Sequence, residues 1–166
     1  AAGDGETREV TVARVSDSST LAALERVLAL SATFQIAAVN MSYGHGAFTN
    51  VADCIDDCFA YRDIVANLND AGIAVVSSAG NGARTCNPAT GNLDFVPGVD
   101  APACLPEVIA VGSVGDTDGV SRFSQGGALL DLFAPGEGIN SSVLGGNYDR
   151  FSGTSIAAPH GAGAIA

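Results

Sequence analysis

The hydroxyl of Ser155 occupies a favourable place for handling negative charge. It follows Gly153 and Thr154 and opens a run of small, uncharged residues, continuing through Pro159, His160, Gly161, Ala162 and Gly163. Such a run reads as the start of a buried helix. Glycine at 153 permits a tight entry and lets another chain approach the backbone closely. In a first helical turn, unpaired N–H groups and the helix dipole favour an anion. For an isolated serine the ordinary role there is a helix cap. Ser155 is accompanied by two other stretches, Ser42-Tyr43-Gly44 and Ser78-Ala79-Gly80-Asn81, each ending a short apolar run. In open parallel sheets ligands bind beyond the carboxyl ends of the strands. Three such stretches at one sheet edge define a cleft.

The elements that must hold them follow from periodicity. Residues 9–15 alternate and are rich in β-branched side chains, which predicts a strand. Asp17-Ser18-Ser19 supplies a turn and N-cap, and Leu21, Leu24, Val27 and Leu28 then mark one helical face. Residues 36–42 and 73–78 are apolar without alternation, as in strands buried on both faces. Gly44-His45-Gly46 breaks the first of these. Residues 51–71 predict a single helix with Ile55, Phe59, Val65 and Leu68 inward and Gly72 as its stop. Residues 83–106, punctuated by Pro and Gly, read as an irregular surface excursion pinned by cysteines. Strands are expected over 108–114, 122–124, 130–134 and 139–143, and residues 148–152 lead into the last helix. Strand-helix-strand spacing of this kind implies a three-layer α/β domain with a mostly parallel sheet.

Composition narrows the function. The 166 residues suffice for one domain with a real core, and the basic residues, all Arg, number 7 against 18 acidic ones, for a net charge of -11. That balance argues against nucleic acid and against anionic membrane surfaces as partners. Four cysteines in a short chain favour disulfides and an oxidising compartment. Cys54 and Cys58 stand one helical turn apart, with Cys86 and Cys104 further on. Two disulfides from the helix to the later segment are expected, in a pairing the sequence leaves open. C-x3-C followed by widely spaced single cysteines is poor zinc spacing. Asp116 and Asp118, and the stretch from Asp94 to Asp100, offer carboxylates to structural calcium. They read as solvated turn residues, and no metal is assigned. Ala1-Ala2-Gly3-Asp4 reads as a surface turn and Ala164-Ile165-Ala166 as a helix without a C-cap. Residues 1–166 are therefore expected to be one piece, truncated at both ends, of a larger domain.

Gly153-Thr154-Ser155-Ile156-Ala157-Ala158-Pro159-His160 resembles the nucleophile motif of the subtilisin-like serine proteases, G-T-S-M-A-x-P-H-V-A-G, with Ile156 for Met and Gly161 for Val. Val39-Asn40-Met41-Ser42-Tyr43-Gly44 resembles the family's N-M-S-L-G strand, with Tyr43 for Leu. Val76-Ser77-Ser78-Ala79-Gly80-Asn81 resembles the facing wall of its cleft. Residues 106–112 and 132–136 also resemble family framework segments. The resemblance implies that Ser155 is the nucleophile and that Asn81, with the Ser155 N–H, donates to the oxyanion. It implies that Ser42, Tyr43 and Gly44 bind an extended polypeptide by main-chain hydrogen bonds, with Ser78, Ala79 and Gly80 opposite. It further implies a secreted, monomeric endopeptidase whose chemistry needs no cofactor, although many members bind calcium.

A serine nucleophile needs a base, and the base an orienting carboxylate. The family's D-T/S-G and H-G-T-H-V-A-G motifs do not occur in this sequence, so the piece by itself is expected to be inactive or nearly so. His160, five residues after Ser155, lies about 140° round a helix from it and is expected to be a buried structural residue. His45, on a glycine-flanked loop, is a poor base and a better groove-lining residue. The rival reading is a non-catalytic peptide-binding relative, to be separated from the enzyme by the upstream motifs. An α/β hydrolase or a nucleotide-binding domain lacks its G-x-S-x-G or G-x-G-x-x-G here.

Overall fold

Helix α1 (Asp17–Ser31) is capped by Ser16, whose extended backbone lets its hydroxyl accept from the Ser19 N–H. Asp17-Ser18-Ser19 is therefore the first helical turn and not the cap, and Asp17 suits the positive end of the helix dipole. The computed structural model describes residues 16–86, 89 and 92–166. The strand expected over residues 9–15 lies outside the described residues, as does the side chain of Cys86.

The first strands are β1 (Ala38–Met41), β2 (His45–Phe48) and β3 (Ala74–Ser78). Between β2 and β3 lie two helices where one was expected, α2 (Val51–Asp57) and α3 (Phe59–Asp70). They part at Cys58, whose φ of -93° and ψ of 17° leave the helical region. Beyond it the chain tightens, Tyr61 N donating to Cys58 O at 2.8 Å. The inward face becomes Tyr61, Ile64, Val65 and Leu68. Phe59, expected inside, is exposed. Gly72, at φ 78°, ends α3 in the left-handed conformation, its N–H reaching Asn69 O while Ile73 N reaches Leu68 O. That pair of bonds satisfies the last carbonyls of the helix.

The excursion over residues 83–106 is more ordered than its Pro and Gly content implied. It holds β4 (Arg84–Cys86), β5 (Leu93–Phe95) and β6 (Val99–Ala101). Strands β4 and β5 form a hairpin, while β6 pairs back with β2, His45 opposite Ala101. Then come β7 (Ile109–Val114), β8 (Leu132–Pro135), β9 (Ile139–Val143) and β10 (Asn147–Phe151). Residues 122–124, expected as a strand, form a turn closed by Ser124 N on Ser121 O at 2.9 Å. Helix α4 (Thr154–Ile165) ends the chain.

The central sheet is parallel, in the order β1-β3-β7-β8. Helices α1 and α3 pack together on one face, and α4 lies across all four strands on the other. Alternate strand residues feed the two cores: Val75 and Ala110 face the α1/α3 side, Val76 and Val111 the α4 side. On α4 the facing residues are small, Ala157, Ala158 and Gly161. A Cβ on Gly161 would stand 3.1 Å from Val111 Cγ2, so the helix backbone lies almost directly on the sheet. This is the three-layer α/β arrangement expected. No helix among the described residues is long and apolar enough to cross a membrane.

Cys54 and Cys104 form a disulfide, tying α2 to the loop after β6. Cys58, expected in a second bridge, keeps a buried free thiol. Burial, with the Asp57 and Asp17 carboxylates, pushes that thiol up to about 11. Its sulfur lies within 4.8 Å of the other two, which are bonded to each other.

Candidate active site

Gly153 precedes α4 with φ 164°, extended backbone that any residue can adopt. Its value is the missing side chain. A Cβ there would stand 3.5 Å from Asn81 Nδ2 and 3.7 Å from Ser155 N, in the space those two N–H donors share. Ser155 is half-buried in the first turn of α4. Among the described residues its hydroxyl makes no hydrogen bond. Its carbonyl has an unusual need, because the residue four positions on is Pro159, which has no N–H to offer. Ser42 Oγ donates to Ser155 O instead, at 2.7 Å, and is itself held by Asn40 Nδ2 at 2.8 Å. The end of β1 is thereby fastened to the first turn of α4.

Asn81 follows β3. Its Oδ1 accepts from both Thr154 N at 2.9 Å and Thr154 Oγ1 at 3.1 Å. The hydroxyl of Thr154, fully buried, accepts in turn from Gly80 N at 3.1 Å. With its oxygen committed twice, the amide can turn only one way, and Nδ2 remains the outward donor beside Gly153 and Ser155.

Ser78, Ala79 and Gly80 are buried. Ala79 N donates to Val111 O, Asp100 N to Ala79 O and Gln125 N to Gly80 O, each at 2.8–2.9 Å. Their backbone is largely spent within the protein, so this stretch is a fixed wall. On the other side Ser42 and Tyr43 are half-buried and Gly44 exposed. The Tyr43 side chain turns away to α1, its hydroxyl donating to Thr20 Oγ1 at 3.1 Å, and burial raises its pKa. What Tyr43 presents to a ligand is main chain. Among the described residues β1 is an edge strand, and the segment after it continues that edge.

Neither histidine is hydrogen-bonded to the Ser155 side chain. His45 Nε2 pairs with Asp57 Oδ2 at 2.9 Å on an exposed surface. His160, expected to be buried, is exposed, and its Nδ1 donates to Ile156 O at 2.9 Å. Asp100, taken as a solvated turn residue, is only 9% exposed and lies on β6. Burial pushes its pKa up to about 6 against the opposing effects of a Gln125 hydrogen bond and the His45 charge. Its flanking Val99 and Ala101 are buried too, and an acid set between apolar neighbours was the one sign in the sequence.

The subtilase family model matches residues 6–166. Subtilisin E of Bacillus subtilis (strain 168) is 38% identical over 107 residues, 64% of this chain and 26% of that protein. The subtilisin-like serine protease Pen ch 13 of Penicillium rubens is 34% identical over 128 residues, 77% of this chain and 27% of its own length. The chain thus spans about a quarter of the length of these curated relatives. A solved cold adapted subtilisin-like serine proteinase superimposes with a TM-score of 0.64 at 29% identity, covering 89% of this chain and 46% of that one. With a match along nearly its whole length and a fold shared with solved members, the chain belongs to the subtilase family.

Proposed function

We propose that the protein carrying this chain is a secreted serine endopeptidase, with Ser155 as nucleophile and Asn81 Nδ2 and the Ser155 N–H as oxyanion donors. The observation that supports this reading best is the locked Asn81 amide, whose free donor shares with Ser155 N the space over Gly153. A substrate would run extended along residues 42–44, against the fixed wall of residues 78–80.

Ser155 Oγ adds to the scissile carbonyl, forming a C–O bond while its proton passes to a base. The carbonyl oxygen becomes an anion met by the two donors. Because Thr154 already holds the Asn81 amide, no reorganisation is needed at that moment. Collapse breaks the C–N bond, the departing amine takes the proton, and water later releases the acyl group by the same steps reversed. The base and its orienting carboxylate are not among these residues. In the family they come from histidine and aspartate motifs upstream.

Full-length protein treated with a fluorophosphonate probe should be labelled at Ser155, and Ser155→Ala should abolish both labelling and peptidase activity. Asn81→Ala should lower kcat on the order of 100- to 1000-fold with little change in KM. A full-length protein that hydrolyses peptides with Ser155 replaced would overturn the assignment. One that binds peptides without cleaving them would support the rival reading.

A further inference from the structure

Three cysteines that the chemistry at Ser155 does not use meet in the core. Cys54 lies on α2, and Cys58, where α2 gives way to α3, donates its backbone N–H to Cys54 O at 2.8 Å. That helical turn sets both side chains on one face. Cys104 comes from the loop after β6, where its own N–H is held by Asp100 O at 3.0 Å. The three residues are at most 2% exposed and belong to the apolar core on the α1/α3 side of the sheet. Their sulfurs all lie within 4.8 Å of one another. A disulfide can join only two of them, so the Cys54–Cys104 bond leaves Cys58 as a thiol.

Three sulfurs bound at about 2.3 Å to one ion in their plane stand about 4 Å apart. The group is therefore already at the spacing of a three-sulfur metal site, and side-chain rotation after the S–S bond breaks completes it. C-x3-C with distant single cysteines is poor spacing for four-thiolate zinc, and the structure agrees. Among the described residues no fourth histidine, cysteine or carboxylate joins the three, whereas structural zinc takes four ligands. Ligation by sulfur alone suits a soft ion, and copper(I), which accepts three thiolates, matches both the number and the chemistry. The apolar surroundings keep water from the ion and so protect its lower oxidation state. Cys104 also lines a cavity of about 180 Å³ with Val51, Leu105 and Asp131, which offers an ion and a reductant a way in.

We propose that Cys54, Cys58 and Cys104 form a copper(I) site that replaces the disulfide when the protein is reduced. A dithiol gives two electrons and two protons to the Cys54–Cys104 bond and leaves as its own disulfide. Copper(I) then forms three Cu–S bonds, and the three thiol protons pass to solvent. In both states α2 is tied to the loop after β6, by a sulfur–sulfur bond in one and through the metal in the other. The assignment is independent of the role of Ser155.

The test uses the full-length protein, reduced with dithiothreitol, freed of it without air, and offered copper(I) from the competing chelator bicinchoninate. Cys86→Ser is present throughout and removes the remaining cysteine of residues 1–166. The reduced parent should take up one equivalent of copper(I), with three sulfur neighbours by X-ray absorption. The oxidised parent, with a single thiol in the group, should leave the copper on the chelator. Cys58→Ala keeps both partners of the disulfide, so its oxidised form shows that it folds. Once reduced it should bind copper(I) at least about 100-fold more weakly than the parent, at or beyond the upper end of what an outer-shell partner is worth. Copper(I) should also restore the urea midpoint that reduction lowers, in the parent and not in Cys58→Ala. Equal affinity in the parent and Cys58→Ala, fewer than three sulfurs at the ion, or a midpoint that copper(I) leaves unmoved would overturn the proposal. A group that takes zinc(II) in preference to copper(I) would overturn it as well.

Discussion

Asp100 carries a consequence for stability at the scale of the single residue. Its pKa lies near 6 in the fold and near the ordinary carboxylate value of about 4 in the unfolded chain. Between those values the folded state holds more protons than the unfolded one, so stability falls as pH rises through that window. The loss levels off above about pH 6.5 at roughly 2–3 kcal/mol. His45 on β2 and Gln125 are the groups that oppose the shift. Urea denaturation of wild type and Asp100→Asn from pH 4 to pH 7 should show the variant gaining relative to wild type across the window. A pH-independent difference would contradict the buried carboxylate. The stretches around Ser155 and Asn81 could be singled out in the sequence because they form long, ordered motifs, and the roles proposed for the two residues rest on that resemblance. The hold of Thr154 on the Asn81 amide was not legible, since it joins residues 73 positions apart.

At the scale of elements, the Cys54–Cys104 bond joins α2 to the loop after β6 across 50 residues of chain. Closing a loop of that length in the unfolded state is worth roughly 4 kcal/mol. Reduction should lower the denaturant midpoint accordingly. Cys58 should resist iodoacetamide in the native protein and react once it unfolds, because its thiol is buried and raised to about 11. Rapid native alkylation at Cys58 would contradict its burial. The helical pattern of residues 51–71 was legible, but the break at Cys58 was not. Periodicity runs through the break with little visible phase change, and only Phe59 turning outward betrays it. Strands β2 and β6 escaped notice for a related reason. Each is three or four residues long and directly follows a glycine, and their pairing is long-range.

For the whole molecule, the parallel sheet and its two helical layers follow from alternating apolar strands and helices, which were readable at once, whereas the strand order β1-β3-β7-β8 comes from the structure. The net charge was readable too, and it makes a prediction of its own. With -11 on 166 residues, self-repulsion opposes the compact state and salt screens it. Thermal midpoints at pH 7 should rise between 10 mM and 500 mM sodium chloride, where the Debye length shrinks from about 30 Å to a few ångströms. A midpoint that falls over this range would show that attractive ion pairs outweigh the repulsion.

The close seat of Gly161 on Val111 links the hydrophobic interior to the hydroxyl proposed as nucleophile. Ser155 lies six residues earlier on the same rigid rod, so the height of that rod above the strands fixes the reach of the hydroxyl. One added methyl at 161 would have to be absorbed by a shift of a few tenths of an ångström, and the hydroxyl would travel with it. Substitutions that improve the packing of this interior can therefore misalign the reaction while leaving the protein sturdier, and a laboratory search for thermostable variants should find turnover falling first along this seam.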